Sequence, residues 1–311
     1  MTISLDKIDF RAKLPDLPRS LPVMETSAPR LEERRGAIDL LGNTLNLGKR
    51  RLVELPHGVA YVSPRGEVEY FQASGAVWSR DAEAEQKHDN ELREWPKLVK
   101  AGDDTDDRLA LDKETSRQLL GKAKELVEAA RFGDKAMDGG QVVLDQVTQL
   151  SDKGEIIQRG AGTATVAFGF SIDGLPVVGA GAKSTLAFDP VDGEPRLVGS
   201  LHVWRSPVEA REIQMPAVEE ALSVGLLADP ELRRYAEKGS KITVSRLRLG
   251  YLALPAMTQQ RYLFPVFDVQ GQVSLPEDKL GHFQFARYHH AAPVASYKKA
   301  DIYAPYLARM N

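Results

Sequence analysis

Arg246 and Arg248, one residue apart in KITVSRLRLGYLAL (241–254), are the side chains best suited to recognition chemistry in this sequence. A guanidinium carries five donors in a planar fork, so a pair of them can hold carboxylates in bidentate fashion and stack on rings. Strict strand alternation would put Lys241, Thr243, Ser245, Leu247, Leu249 and Tyr251 on one face. Ile242, Val244, Arg246, Arg248 and Gly250 would take the other. With Trp204, Arg205, Tyr251 and Tyr262 as neighbours, the arginines would form a basic and aromatic groove for an acidic or aromatic-rich peptide. The bland reading is a solvated strand face with arginine stems lying along apolar surface.

Histidine is the next candidate chemistry, because imidazole can ligate a metal or move protons near neutral pH. His289 and His290 are adjacent, so on a strand they point to opposite faces and cannot easily share one ion. His282 and His290 could share a face, with His202 joining from another strand. No HExxH or facial-triad spacing supports such a site, and no metal is expected. The carboxylate run Asp103-Asp104-Thr105-Asp106-Asp107 lacks the glycine and closing glutamate of a calcium loop, so a solvated loop is expected. Gly179-Ala180-Gly181-Ala182-Lys183-Ser184-Thr185 has Val177 and Ala182 where a phosphate loop needs glycine, and a strand follows it. Gly160-Ala161-Gly162 lacks the third glycine of a dinucleotide fingerprint. No GxSxG nucleophile turn occurs. We expect no catalytic residues and no cofactor.

Composition narrows the class. The 311 residues are 42% hydrophobic and 27% charged, an ordinary globular balance with length for two domains. A net charge of -3 gives no electrostatic reason for nucleic acid as partner. The absence of cysteine removes disulfides, thiolate nucleophiles and zinc–thiolate sites together. The first twenty residues show no secretory apolar region and no run is long enough to cross a bilayer, so a cytoplasmic, non-membrane protein is expected.

Antiparallel hairpins must position these residues. Within 160–205, Asp192-Gly193 between Leu186-Ala187-Phe188 and Leu197-Val198 is a hairpin turn, because glycine tolerates positive φ. An earlier unit, 52–78, flanks Ser63-Pro64-Arg65-Gly66 with Val59–Val62-type and Val68-Glu69-Tyr70-Phe71 strands. Val77-Trp78 and Val203-Trp204 close the two units. A helix follows each: 112–132, capped by Asp112 with Gly133 as its left-handed exit, and 215–238, restarted at Asp229-Pro230. Strands are expected over 141–150, 155–170, 241–254, 260–272 and 282–289. Four prolines, Pro15, Pro18, Pro22 and Pro29, make the first thirty residues an extended or irregular arm. A short amphipathic helix then carries Leu31, Ile38, Leu41 and Leu45. The tail 297–311, with Tyr297, Tyr303 and Tyr306, is suited to wrap over the body or to join a second copy as a homodimer.

The expected fold is therefore α+β, built of two repeated antiparallel sheet-plus-helix modules. An N-terminal arm would span 1–50, the first module 51–150 with an acidic insertion at 80–112, the second 151–296, and a tail 297–311. Across 52–290 this element order resembles the cystatin-like and PepSY-like modules, including the propeptides of thermolysin-type proteases. Gly174-Leu175-Pro176-Val177-Val178-Gly179, the Asp192-Gly193 hairpin and the strand ending Trp204-Arg205 carry the resemblance. Unlike the propeptides, the chain is expected to have no export signal and no attached protease. A cytoplasmic relative without cysteine is similar to the peptide-binding accessory proteins of peptide natural-product pathways, the crocagin type. That resemblance implies a protein that holds a precursor peptide for separate modifying enzymes and does no chemistry itself. The partner would be a peptide captured by strand addition or in the groove. The alternatives are an enzyme built from scattered histidines and carboxylates, and a structural or oligomerisation module.

Overall fold

The structure, a computed structural model, describes residues 8–84, 92–101, 108–275 and 282–291. The expected tail and the carboxylate run 103–107 lie outside these residues. Strands β1 (Ile8–Phe10) and β2 (Ser20–Ser27) occupy the stretch expected as an irregular arm, and Pro22 lies within β2. Helix α1 (Leu31–Thr44) follows, with the Glu33 carboxylate accepting from the Arg30 N–H at 2.6 Å and Ala37, Ile38 and Leu41 buried. That apolar side packs on the chain's own core.

Four strands form an antiparallel meander: β3 (Arg51–Leu55), β4 (Gly58–Ser63), β5 (Gly66–Phe71) and β6 (Ala76–Asp81). Trp78 thus belongs to a third strand, not to the returning strand of the first hairpin. After β7 (Leu98–Lys100) and β8 (Leu109–Leu111), Asp112 caps α2 (Lys113–Ala129) by accepting from the Thr115 N–H at 2.8 Å. The left-handed exit residue is Arg131 (φ 54), not Gly133. There the Phe132 N–H reaches the Val127 carbonyl at 2.9 Å and the Phe132 ring drops into the core.

The chain continues through β9 (Gln141–Leu150), β10 (Ile156–Phe168), β11 (Phe170–Ile172), β12 (Leu175–Val178), β13 (Lys183–Val191), β14 (Glu194–Val203) and β15 (Ser206–Gln214). Asp192 and Gly193 turn at φ 52 and 80, and Asp173-Gly174 makes a second such turn at φ 50 and 80. Two short helices, α3 (Val218–Val224) and α4 (Pro230–Glu237), precede the last strands, and Asp229 caps α4. These are β16 (Lys241–Leu252), β17 (Tyr262–Leu263), β18 (Pro265–Ser274) and β19 (His282–His290).

The class is α+β with mostly antiparallel sheets, as expected. One sheet of eight strands has the order β3-β4-β5-β6-β14-β13-β10-β9. The two hairpin units, expected in separate modules, are therefore neighbours: β6 pairs with β14, Trp78 opposite Leu201. The expected boundary at 150/151 falls in the turn between β9 and β10 of that sheet. A core of Val68, Val166, Leu186 and Phe188 packs against Ile38, Leu41 and Leu119 of α1 and α2. A second sheet, β11-β12-β16-β18-β19, also takes β1 parallel to β16. Its core-facing residues Val244, Leu249 and Phe267 meet Leu222, Leu226 and Leu232 around α3 and α4. A third sheet, β15-β2-β17, has β2 at its centre.

The sheets meet at Trp204-Arg205, between β14 and β15. Trp204 stacks on Phe170 at 4.2 Å and its indole N–H donates to Asp134 at 2.8 Å. Arg205, only 2% exposed, donates to the carbonyls of Leu254 (3.1 Å), Pro255 (3.2 Å) and Thr258 (2.6 Å). Arg205→Met would strand these carbonyls without their donor. We expect a loss of about 3 kcal/mol or more, read as a lowered urea midpoint at unchanged slope.

Candidate functional site

Strand β16 carries the site through one irregularity. Val244 pairs with Gly271 and Arg246 with Gln270, so Ser245 is an extra residue, a β-bulge. Val244 and Leu247 both point into the core, and the two residues between them, Ser245 and Arg246, are both exposed. This corrects the alternation expected from the sequence. Beyond the bulge the phase slips by one, so Leu247 and Leu249 share the core face with Ile242 and Val244. Arg246 and Arg248 share the open face with Thr243.

A groove of about 590 Å³ runs along this open face. Thr243, Ser245, Gln270, Gln272 and Gln284 line it, with Arg11 at its rim. Arg246 stands beside it, opposite Gln270. The Ser245 hydroxyl donates to the Gln270 carbonyl at 3.3 Å, which steadies the bulge. Each glutamine amide offers two donors and one acceptor, so the floor can pair with groups of either kind. Sequence reasoning missed the glutamines, although their period-two spacing in FDVQGQ and HFQF places them on one face.

The six residues expected to bind peptide do not form one surface. Arg248 and Arg246 lie together on the open face, but Arg248 is held by Asp268, at 3.2 Å through Nε and 2.5 Å through Nη2. Asp268 is 1% exposed and also accepts from the Gln270 amide at 3.3 Å. Trp204, Arg205 and Tyr251 are buried at the junction of the sheets. The Tyr251 hydroxyl donates to the Pro22 carbonyl at 2.9 Å, and burial pushes its pKa up to about 12. Tyr262 lies in β17 of the third sheet, half-buried, with the Arg261 guanidinium 5.1 Å above its ring.

The histidines are dispersed. His282 and His290 share the open face of β19, but eight residues of strand separate them by about 26 Å, too far to share an ion. His289 faces the core beside Asp229 and Arg287, and burial takes its pKa down to about 4 against the pull of Asp229. His202 is 1% exposed, stacked 4.0 Å from Phe132 in the other sheet, and burial holds its pKa well below the usual value. Burial also lowers His290. Among the described residues no three histidine, aspartate or glutamate side chains group to hold a metal.

Two measurements follow from these contacts. Arg248→Ala leaves the buried Asp268 carboxylate without its cation, and should cost about 2 kcal/mol after allowance for the partial exposure of the arginine. Arg246→Ala should stay within about 0.5 kcal/mol of the parent in the same urea titration. For the histidines, the unfolded chain takes up protons below about pH 6.5 that the fold refuses, so stability is fullest above that pH. It then falls as the pH drops toward the folded values, about 4 for His289. His202→Phe should make this decline between pH 7.5 and 5 shallower, whatever its effect at neutral pH.

No protein-family model matches the sequence, and no curated protein shows significant similarity to it. The fold is similar to the crystal structure of an uncharacterized protein from Eubacterium rectale ATCC 33656, determined at 1.45 Å. The TM-score is 0.52, with 10% identity over 93% of this chain and 90% of that one. At this identity the likeness shows a shared fold and nothing about activity.

Proposed function

We propose that this chain is a non-catalytic peptide-binding protein that takes an extended segment along the open face of β16, β18 and β19. The observation that carries the reading is the bulge at Ser245, which leaves Arg246 exposed opposite Gln270, beside a groove lined by glutamine amides. A strand-like peptide presents N–H and C=O groups at regular intervals, and amide side chains on a sheet face repeat at a matching interval. Arg246 would select an acidic residue by a charge-assisted bond. The groove volume falls within the range of small-ligand and peptide pockets. Among the described residues β19 is the edge strand beside the groove, so strand addition there would extend the same surface. In this reading the cystatin-like and PepSY-like resemblance reflects sheets used to hold extended chains. The setting would be cytoplasmic, with the protein presenting a precursor peptide to separate modifying enzymes, as in the crocagin type.

Calorimetric titration with a synthetic peptide alternating glutamate and threonine, against a twin carrying lysine for glutamate, tests the proposal. The acidic peptide should bind saturably, more weakly as salt is added, and the lysine twin should not bind. Arg246→Ala should weaken binding by about tenfold, equivalent to roughly 1.4 kcal/mol. Absence of saturable binding, or binding indifferent to Arg246→Ala, would overturn it.

A further inference from the structure

The two ends of the eight-stranded sheet are finished differently. At the β9 end, the Gln146 side chain acts as a backbone substitute. Its amide accepts from the Leu109 N–H at 2.8 Å and donates to the Leu109 carbonyl at 2.9 Å, so β8 closes part of that edge. At the other end, β3 pairs only with β4 among the described residues. An unpaired edge strand is a template for another strand unless something blocks it. Strand β3 contains no proline and no bulge, and its Leu52 is 57% exposed.

The backbone groups along that edge can be assigned. The Gln72 N–H donates to the His57 carbonyl at 2.9 Å, which makes 57 and 72 a hydrogen-bonded pair of the β4–β5 ladder. Hydrogen-bonded pairs alternate along an antiparallel ladder, so Val59, Tyr61 and Ser63 bond toward β5, and Gly58, Ala60 and Val62 toward β3. Their partners are Leu55, Val53 and Arg51. The N–H and C=O groups of Leu52 and Glu54 therefore point outward from the sheet. The Leu52 side chain lies on the helix-bearing face, in line with Tyr61 and the fully buried Val68, and α1 packs chiefly on β5 and β6.

We infer that β3 is the interface with a second copy of this chain, paired antiparallel about a two-fold axis at Leu52, which joins the two eight-stranded sheets into one. Outward-facing groups at residue 52 of each copy meet as a hydrogen-bonded pair, and Leu52 covers its mate. The strand is also self-complementary in charge. A two-fold at Leu52 sets Arg50 of each copy opposite Glu54 of the other, both on the Leu52 face, where the Arg50 guanidinium already lies 3.6 Å from Asp39. A parallel or unrelated strand would not gain both the leucine contact and the charge match. The peptide groove lies on a different sheet, so this assembly stands or falls independently of the binding function.

Light scattering on the eluting full-length protein, over a range of concentrations, tests the interface. The parent should run as a dimer that dissociates on dilution. Leu52→Pro removes an outward N–H that no ladder bond uses, and proline is tolerated at such edge positions. It should raise the dimer dissociation constant at least about tenfold. Glu54→Lys, at an exposed position where folding is not at risk, should raise it about fivefold and more so at low salt. A parent that is monomeric at every concentration overturns the inference. So does a dimer of parental strength in Glu54→Lys and in any Leu52→Pro protein with the parental circular dichroism spectrum.

Discussion

A buried guanidinium needs acceptors close around it, and the three carbonyls that the Nη groups of Arg205 reach tie the molecule together. The residue sits where the chain leaves one sheet at the end of β14 and enters another at β15. Its three carbonyl partners lie in the 254–258 segment that follows β16, so one side chain couples a joint between sheets to a distant loop. Trp204 fills the other side of the joint. From it an aromatic series runs through Phe170 and His202 to Phe132, with the Arg34 guanidinium over the last ring at 5.1 Å. Elements from α1, the end of α2, β11 and β14 thus share one stack. His202 takes part as an uncharged ring, because burial holds its pKa well below the usual value.

A second constraint acts within β16. One inserted residue changes which side chains are offered to solvent over the rest of the strand, because the side-chain period of a strand is two. Without Ser245 as the extra residue, Leu247 and Leu249 would face the open side and the arginines the core. With it, the apolar residues on both sides of the bulge meet α3 and α4, and Arg246 is freed. Arg248, two residues on, is drawn into a different role by Asp268, whose carboxylate has almost no solvent and needs a cation beside it. Two arginines that look equivalent in the sequence are thereby divided, one available for a ligand and one committed to the fold.

The local features were legible in the sequence wherever a short-range physical rule decides them. Asp112 caps the helix that follows it, a helix restarts at Asp229-Pro230, Asp192-Gly193 turns with two positive φ angles, and the apolar spacing of Leu119, Ala123 and Val127 fixes the buried side of α2. Rules of this kind failed where a neighbour outweighed them. Arg131 adopts the left-handed conformation with Gly133 two residues away, because Phe132 must be delivered to the core. Pro22 sits inside β2, paired there with Glu212 of β15, while β17 pairs only farther along at Met24 and Glu25. The echo between Val77-Trp78 and Val203-Trp204 did not carry over to position. Trp78 faces the open side of the sheet, whereas Trp204 lies beyond the last residue of its strand and is buried.

What this sequence determines by itself is the α+β class, most of the strands, the helix starts and the tight turns, because each depends on residues within a few positions of one another. Which strands share a sheet, where the bulge falls, and which arginine keeps its charge free are decided only in the tertiary structure. Those outcomes depend on partners far along the chain: Gln270 opposite Arg246, Asp268 against Arg248, Leu201 opposite Trp78, and the 254–258 carbonyls around Arg205. A guanidinium or an indole has the same chemistry in any sequence, and only the groups that fold against it settle whether it is structure or surface.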